Sequence, residues 1–256
     1  MKKYLGIIVL FIAFQNNCLA QQFYEGGTTV IGYIENNRAF IAADSKQLQV
    51  NNETHDTTGL TICKVGHVGN ICYGFSGNLR FLNKNEETFN VYKILNNAFS
   101  QNLDYEKSIS LFNTELVKQF NYAISFIPSY KYDTTMPLLS LLLASFKNDK
   151  PFIASYVYNF RHNELNQIIF NCKTESNKAF NDTGKVFFHI GYAEQIKNYV
   201  KENPGFFYNK KTVEMKFRKL FQVEIEKNSK YVDWPIDMLE VKRNGYTWIL
   251  QNQECR

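Results

Sequence analysis

Residues 28–34 (TTVIGYI) and 39–43 (AFIAA) are β-branched and apolar, with no charged residue among them. A strand wetted on one face alternates polar with apolar side chains, whereas an unbroken apolar run needs cover on both faces. Residues 138–144 (LLSLLLA) repeat the pattern. A chain with several such runs is expected to stack sheets on one another and to cover them further.

The order of the runs narrows the possibilities. Asn36-Asn37 join the first two strands as a turn, a loop rich in Asn, Asp and Thr is expected over 49–58, and further strands over 60–65 and 71–75. Helical spacing then predicts one helix carrying Phe81, Phe89, Tyr92, Ile94 and Leu95. A second carries Ile109, Leu111, Phe112, Leu116, Val117 and Phe120. Strands are expected again over 136–146, 152–158, 165–170 and 186–190, with helices around 195–200 and over 212–225. A hairpin over 238–242 and 246–250, turned at Asn244-Gly245, closes the chain. Strands in blocks separated by helix pairs predict an α+β layered sandwich, with helix layers outside two stacked sheets, and not an alternating parallel sheet. No repeat, low-complexity tract or linker divides it, so one domain is expected.

The N-terminus reads as an export signal: Lys2-Lys3, an apolar run from Gly6 to Phe14, and a small-residue cleavage site at Cys18-Leu19-Ala20. A lipoprotein anchor at Cys18 is disfavoured by the polar Gln15-Asn16-Asn17 before it. A secreted or periplasmic protein is expected, with 1–20 as signal peptide, and no later run is long enough for a membrane span. The net charge of +5 falls to +3 when Lys2 and Lys3 leave, and the remaining basic residues are dispersed, which argues against a nucleic-acid partner. Cys63, Cys72, Cys172 and Cys255 remain. Oxidised, they allow three pairings, and Cys63 and Cys72 flank a turn at residues 66–70. His55, His67, His162 and His189 lie far apart, and neither metal nor cofactor is expected.

The chemistry is concentrated between Gly26 and Gly77. The stretch opens Gly26-Gly27-Thr28-Thr29-Val30-Ile31, continues to Ala42-Ala43-Asp44-Ser45 and Cys63-Lys64-Val65, and ends Gly74-Phe75-Ser76-Gly77. Taken singly, Thr28-Thr29 is strand filler, Asp44-Ser45 a turn or cap, Lys64 an exposed strand residue and Gly77 a turn glycine. In this order and spacing they resemble a proteasome β subunit, a member of the N-terminal nucleophile (Ntn) hydrolases. That family opens its mature chain with Thr-Thr after Gly and places Ala-Ala-Asp-Ser sixteen residues on, as Thr28 and Asp44 stand here. Lys64 lies about four residues further on than usual, a difference the polar loop can absorb.

The resemblance implies a four-layer αββα sandwich over 28–256 and a propeptide, QQFYEGG, over 21–27. It also implies a secreted threonine peptidase or amidohydrolase activated by self-cleavage at Gly27-Thr28. The chemistry also follows from the residues. A threonine hydroxyl needs an adjacent base, and a free α-amine on the same residue, with pKa about 8, is within reach. Lys64 favours the neutral amine and anionic oxygen, Asp44 holds Lys64 in place, and the Gly77 backbone N–H stabilises the oxyanion. The expected partner is a peptide or small amide substrate, met by a monomer or small homo-oligomer.

Two departures stand beside the resemblance. Tyr192, in His189-Ile190-Gly191-Tyr192-Ala193, occupies the place of a family serine that orients the terminal amine. The later Asp-x-x-Ser-Gly-Gly motif is missing, and Ser229 and Asp233 are the substitutes at hand. These departures support an alternative: a catalytically inactive scaffold or binding protein. A third reading is an Ntn amidase acting on acyl-amino compounds.

Overall fold

The computed structural model describes residues 22–25, 28–51, 57–83, 86–101, 104–125, 137–162, 168–176 and 185–255. The signal-peptide expectation over 1–20 and the Gly26-Gly27 pair lie outside them. Fifteen strands and four α-helices are formed among the described residues.

The first sheet is built on the unbroken apolar runs. Strands β2 (Thr29–Glu35) and β3 (Arg38–Asp44) pair antiparallel through the Asn36-Asn37 turn, where both residues take positive φ. β13 (Val186–Gly191) adds on one side, and β14 (Ile236–Lys242) with β15 (Gly245–Leu250) on the other. The second sheet has the order β12 (Ile168–Ser176), β11 (Lys150–His162), β10 (Leu139–Lys147), β7 (Ile71–Gly77), β6 (Val65–Val68).

Side chains leave successive strand residues on opposite faces, and both faces of these runs are buried. Val30, Ile34 and Ile41 point into a core shared with Val65, Leu142, Ala144 and Ile153 of the second sheet. Gly74 lies in this interface, and a Cβ there would come within 2.5 Å of Val30 Cγ1. Ile31, Tyr33 and Phe40 pack instead with Phe217, Leu220 and Phe221 of α4 (Val213–Asn228) and Ile196 of α3 (Glu194–Glu202). Phe75, Leu141, Leu143 and Tyr158 meet Ile94 of α1 (Val91–Phe99) and Phe112, Leu116 and Phe120 of α2 (Tyr105–Ser125).

The expected four-layer αββα Ntn sandwich is corrected by the strands. Three five-stranded sheets form, all with antiparallel pairing, and they make β-sandwich-like layers in place of the two-sheet, four-layer plan. The third sheet has the order β5 (Thr57–Thr61), β4 (Lys46–Asn51), β1 (Gln22–Glu25), β8 (Arg80–Asn83), β9 (Glu86–Asn90). It comes from segments whose apolar pattern suggested otherwise. Residues 49–51 and 57–58 were expected in a loop but pair as strands. Phe81 and Phe89, at helical spacing, are cross-strand partners across a β-bulge, and the helix starts only at Val91, capped by the Asn90 side chain.

The cysteines pair as Cys63–Cys255. Cys72 faces His67 across the β6–β7 hairpin, which leaves Cys63 beyond its reach, and Cys72 stays a buried thiol pushed up to about 12 by desolvation. No helix among the described residues is long and apolar enough to cross a membrane.

Candidate active site

Thr28 lies just ahead of β2 and is fully buried. Its carbonyl accepts the Tyr192 N–H at 2.8 Å and the Ser76 hydroxyl at 3.3 Å. The β13–β2 ladder ends with Gly191 opposite Thr29, and this brings the departing chain against Thr28. Gly191 has φ +77°, and a Cβ there would stand 1.9 Å from the Thr28 carbonyl oxygen and 2.4 Å from Ser76 Oγ. Only glycine lets these strand ends meet.

Asp44 ends β3, and both of its oxygens are engaged. Oδ1 accepts the Thr29 N–H at 2.7 Å; Oδ2 accepts the Lys46 N–H at 3.0 Å and the Lys64 ammonium at 3.1 Å. Lys64 also donates to the Lys46 carbonyl, and its own carbonyl accepts the Phe75 N–H at 3.1 Å, fixing it to β7. The sequence-based reading of Lys64 as an exposed strand residue is wrong: the ion pair has no exposed side-chain area. Burial pushes the Asp44 carboxyl above its ordinary range, against the pull of Lys64 and the Thr29 N–H. Burial likewise draws the Lys64 ammonium below its usual range, against the pull of Asp44. A buried charge persists only when paired and hydrogen-bonded, and each group here supplies that for the other.

Gly77 closes β7 with φ +107°, where a Cβ would lie 2.5 Å from the Leu138 carbonyl oxygen. It follows directly on Ser76, whose hydroxyl meets the Thr28 carbonyl, so the Gly77 peptide adjoins a contact of Thr28. Thr28, Asp44 and Lys64 are thus gathered where the start of β2 meets the end of β3 and the segment ahead of β6, with Gly77 next to Ser76, which touches Thr28.

Tyr192 serves through its backbone. Its carbonyl accepts the Thr29 hydroxyl, while its ring stacks on Tyr231 at 4.6 Å with planes 3° apart. Ser229 and Asp233, the two substitutes, both meet Lys46: its ammonium donates to the Ser229 carbonyl at 2.6 Å and lies 3.6 Å from the Asp233 carboxylate. Sequence reasoning missed Thr29, Ser76 and Gly191. The glycine after a strand was the one visible sign of close backbone approach.

An open cleft of about 690 Å³ adjoins the segment that carries Lys64, walled by Ile62, Tyr73, Tyr92 and Trp248, with Arg80 on its lining. No protein-family model matches the chain, and no curated protein matches it.

Proposed function

We propose that this chain is a threonine-type N-terminal nucleophile hydrolase, related in its motifs to proteasome β subunits, that cuts itself between Gly27 and Thr28 and then hydrolyses amide bonds in extended peptides. The observation that carries the reading is the buried Asp44 carboxylate, shared between the Thr29 N–H and the Lys64 ammonium one residue from Thr28.

In the precursor, Thr28 Oγ adds to the Gly27 carbonyl carbon, the Gly27–Thr28 C–N bond breaks, and the hydroxyl proton passes to the departing nitrogen. Water then hydrolyses the ester, leaving a Gly27 carboxylate and a free Thr28 amine. In the mature chain that amine takes the hydroxyl proton as Oγ attacks the substrate carbonyl. The Lys64 charge favours the neutral amine and the forming alkoxide, and the Gly77 N–H receives the oxyanion. The leaving amine collects the proton, and water releases the acyl group.

The shape of the third sheet supports a peptide substrate over a small acyl-amino compound. β1, which lies inside the proposed propeptide, pairs antiparallel with β4 on one side and β8 on the other. Its loss would leave two strand edges of matching polarity, and an extended peptide can replace its main-chain hydrogen bonds between them.

The inactive-scaffold alternative draws on the same strand. With β1 at the centre of a sheet and Thr28 buried, the stub can serve as permanent structure. Intact mass of the exported protein separates the two: a chain starting at Thr28, together with a Thr28→Ala variant that keeps the stub, supports the hydrolase. A wild-type chain that retains residues 21–27 supports the scaffold.

A further inference from the structure

The open cleft beside the Lys64 segment has no part in the Thr28 chemistry. Its volume of about 690 Å³ is that of a small-ligand site, and two sheet edges wall it. β6 is the outer strand of the second sheet, and β15 is the outer strand of the first. His67 of β6 stacks on Tyr246 of β15 with ring centres 3.7 Å apart, which joins the two edges. Trp248 continues this aromatic wall along β15, while Tyr73 and Tyr92 line the cleft from the helix-covered face of the second sheet.

Two hydrogen-bond donors on the lining, Tyr73 and Arg80, have no acceptor among the described residues. Tyr73 lies over Gly66, its cross-strand partner, and a Cβ at that glycine would come within 2.6 Å of the tyrosine hydroxyl. Arg80 of β8 holds its guanidinium carbon 5.5 Å above the Tyr92 ring. Its ion-pair partner Glu87 stands 3.9 Å from Nε, too far for a hydrogen bond. That carboxylate is engaged elsewhere, accepting from the Lys93 ammonium and from the Asn90 side-chain amide at 2.7 Å.

No carboxylate lines the cleft among the described residues. Asp237 lies behind the Cys63–Cys255 bond, within 4.8 Å of both sulfurs, but it is fully buried. It accepts the Ser45 hydroxyl and the Asn252 N–H, each at 2.7 Å, and the Asn252 side-chain amide at 2.6 Å. Burial draws the His67 imidazole below its ordinary range, so at neutral pH it adds a flat surface and no charge. Arg80 is therefore the one charged group on the described lining.

We propose that this cleft binds a small aromatic monocarboxylate. The Arg80 guanidinium and the Tyr73 hydroxyl hold its carboxylate, and Trp248 with the His67–Tyr246 stack holds its ring. A guanidinium presents two parallel N–H groups that match a carboxylate. A single cation balances a monoanion and leaves a phosphate dianion half-compensated. Indole and imidazole faces favour a flat ring over an aliphatic chain. The assignment does not rest on the Thr28 chemistry.

Equilibrium dialysis of the exported chain against 2-naphthoate and its neutral counterpart 2-naphthylmethanol tests it. Neither probe contains an amide bond, so both bind without reacting, and Thr28→Ala should bind them as wild type does. Wild type should hold the acid about tenfold or more tighter than the alcohol, the scale of a charged hydrogen bond. Arg80→Gln should lose that factor for the acid and leave the alcohol unchanged. Arg80→Lys keeps the charge without the fork; it should lose part of the factor, and it serves if the Gln variant fails to fold. Tyr73→Phe should weaken the acid alone by about threefold to tenfold, and Trp248→Ala should weaken both probes alike. Acid and alcohol held equally by wild type would overturn the inference, as would an acid affinity unmoved by Arg80→Gln or Tyr73→Phe. So would a Trp248→Ala chain that holds both probes as before. Failure of wild type to retain 2-naphthoate at about 1 mM, the weak end of ligand affinity, overturns it as well and leaves the hydrolase reading standing.

Discussion

Asp44 holds the start of β2 and the ammonium of Lys64 with one carboxylate, so removing either partner strands a buried charge. Lys64→Met and Asp44→Asn should each cost about 3–5 kcal/mol in denaturant unfolding. The double variant should cost clearly less than the sum of the two, since residues in one network do not add. Additive costs would show that the pair is not coupled. Gly191→Ala should abolish processing at Gly27-Thr28 because its methyl would occupy the position of the Thr28 carbonyl; a normally processed Gly191→Ala chain would show that this approach is dispensable. The pH dependence follows from the two protonation states required. Labelling of Thr28 by a peptide epoxyketone, which bonds to both its hydroxyl and its amine, should rise as the amine loses a proton and fall as Lys64 loses one. Because burial draws Lys64 below the usual lysine range, the fall should come at lower pH than for an exposed lysine. A rate still climbing through pH 10–11, near the ordinary lysine value of about 10.4, would contradict it. At this scale Thr28, Asp44, Lys64 and Gly77 were legible because they stand in one short stretch at a characteristic spacing. Asp237 and Asn252 were not, because Ser45 meets Asn252 from 207 positions away and no local pattern marks either residue.

Among the elements, strands with unbroken apolar runs were the easiest to read, and both of their faces are indeed buried. The third sheet was hidden for a physical reason. β4 and β5 lie in a stretch rich in Asn, Thr and Gln, and the main-chain pairing that joins them and β1 is not encoded in composition. The Phe81–Phe89 spacing of eight suits two helical turns as well as a short bulged hairpin, so periodicity alone could not decide. Helix placement has its own polar device. The Glu224 carboxylate of α4, fully buried, accepts the Gln195 and Ile196 N–H groups at 3.0 and 3.1 Å and so caps the start of α3. Negative charge at a helix start satisfies otherwise orphaned donors. Glu224→Ala should therefore lower the unfolding free energy by about 1–3 kcal/mol. A denaturation midpoint equal to wild type would show that the cap carries no weight.

For the molecule as a whole, three antiparallel sheets converge on one point. In the first, β3 ends in Asp44 and β2 begins directly after Thr28; the second supplies Ser76 and Gly77, and the third has β1, Gln22–Glu25, as its central strand. Long-range closure comes from the Cys63–Cys255 bond, which spans 192 residues and ties the C-terminal turn to the segment that carries Lys64. The most direct measurement is the intact mass of the exported wild-type chain beside that of Thr28→Ala. The account predicts that the first begins at Thr28 and that the second retains QQFYEGG. A Thr28→Ala chain trimmed at the same bond would contradict it, because the cut would then owe nothing to the threonine.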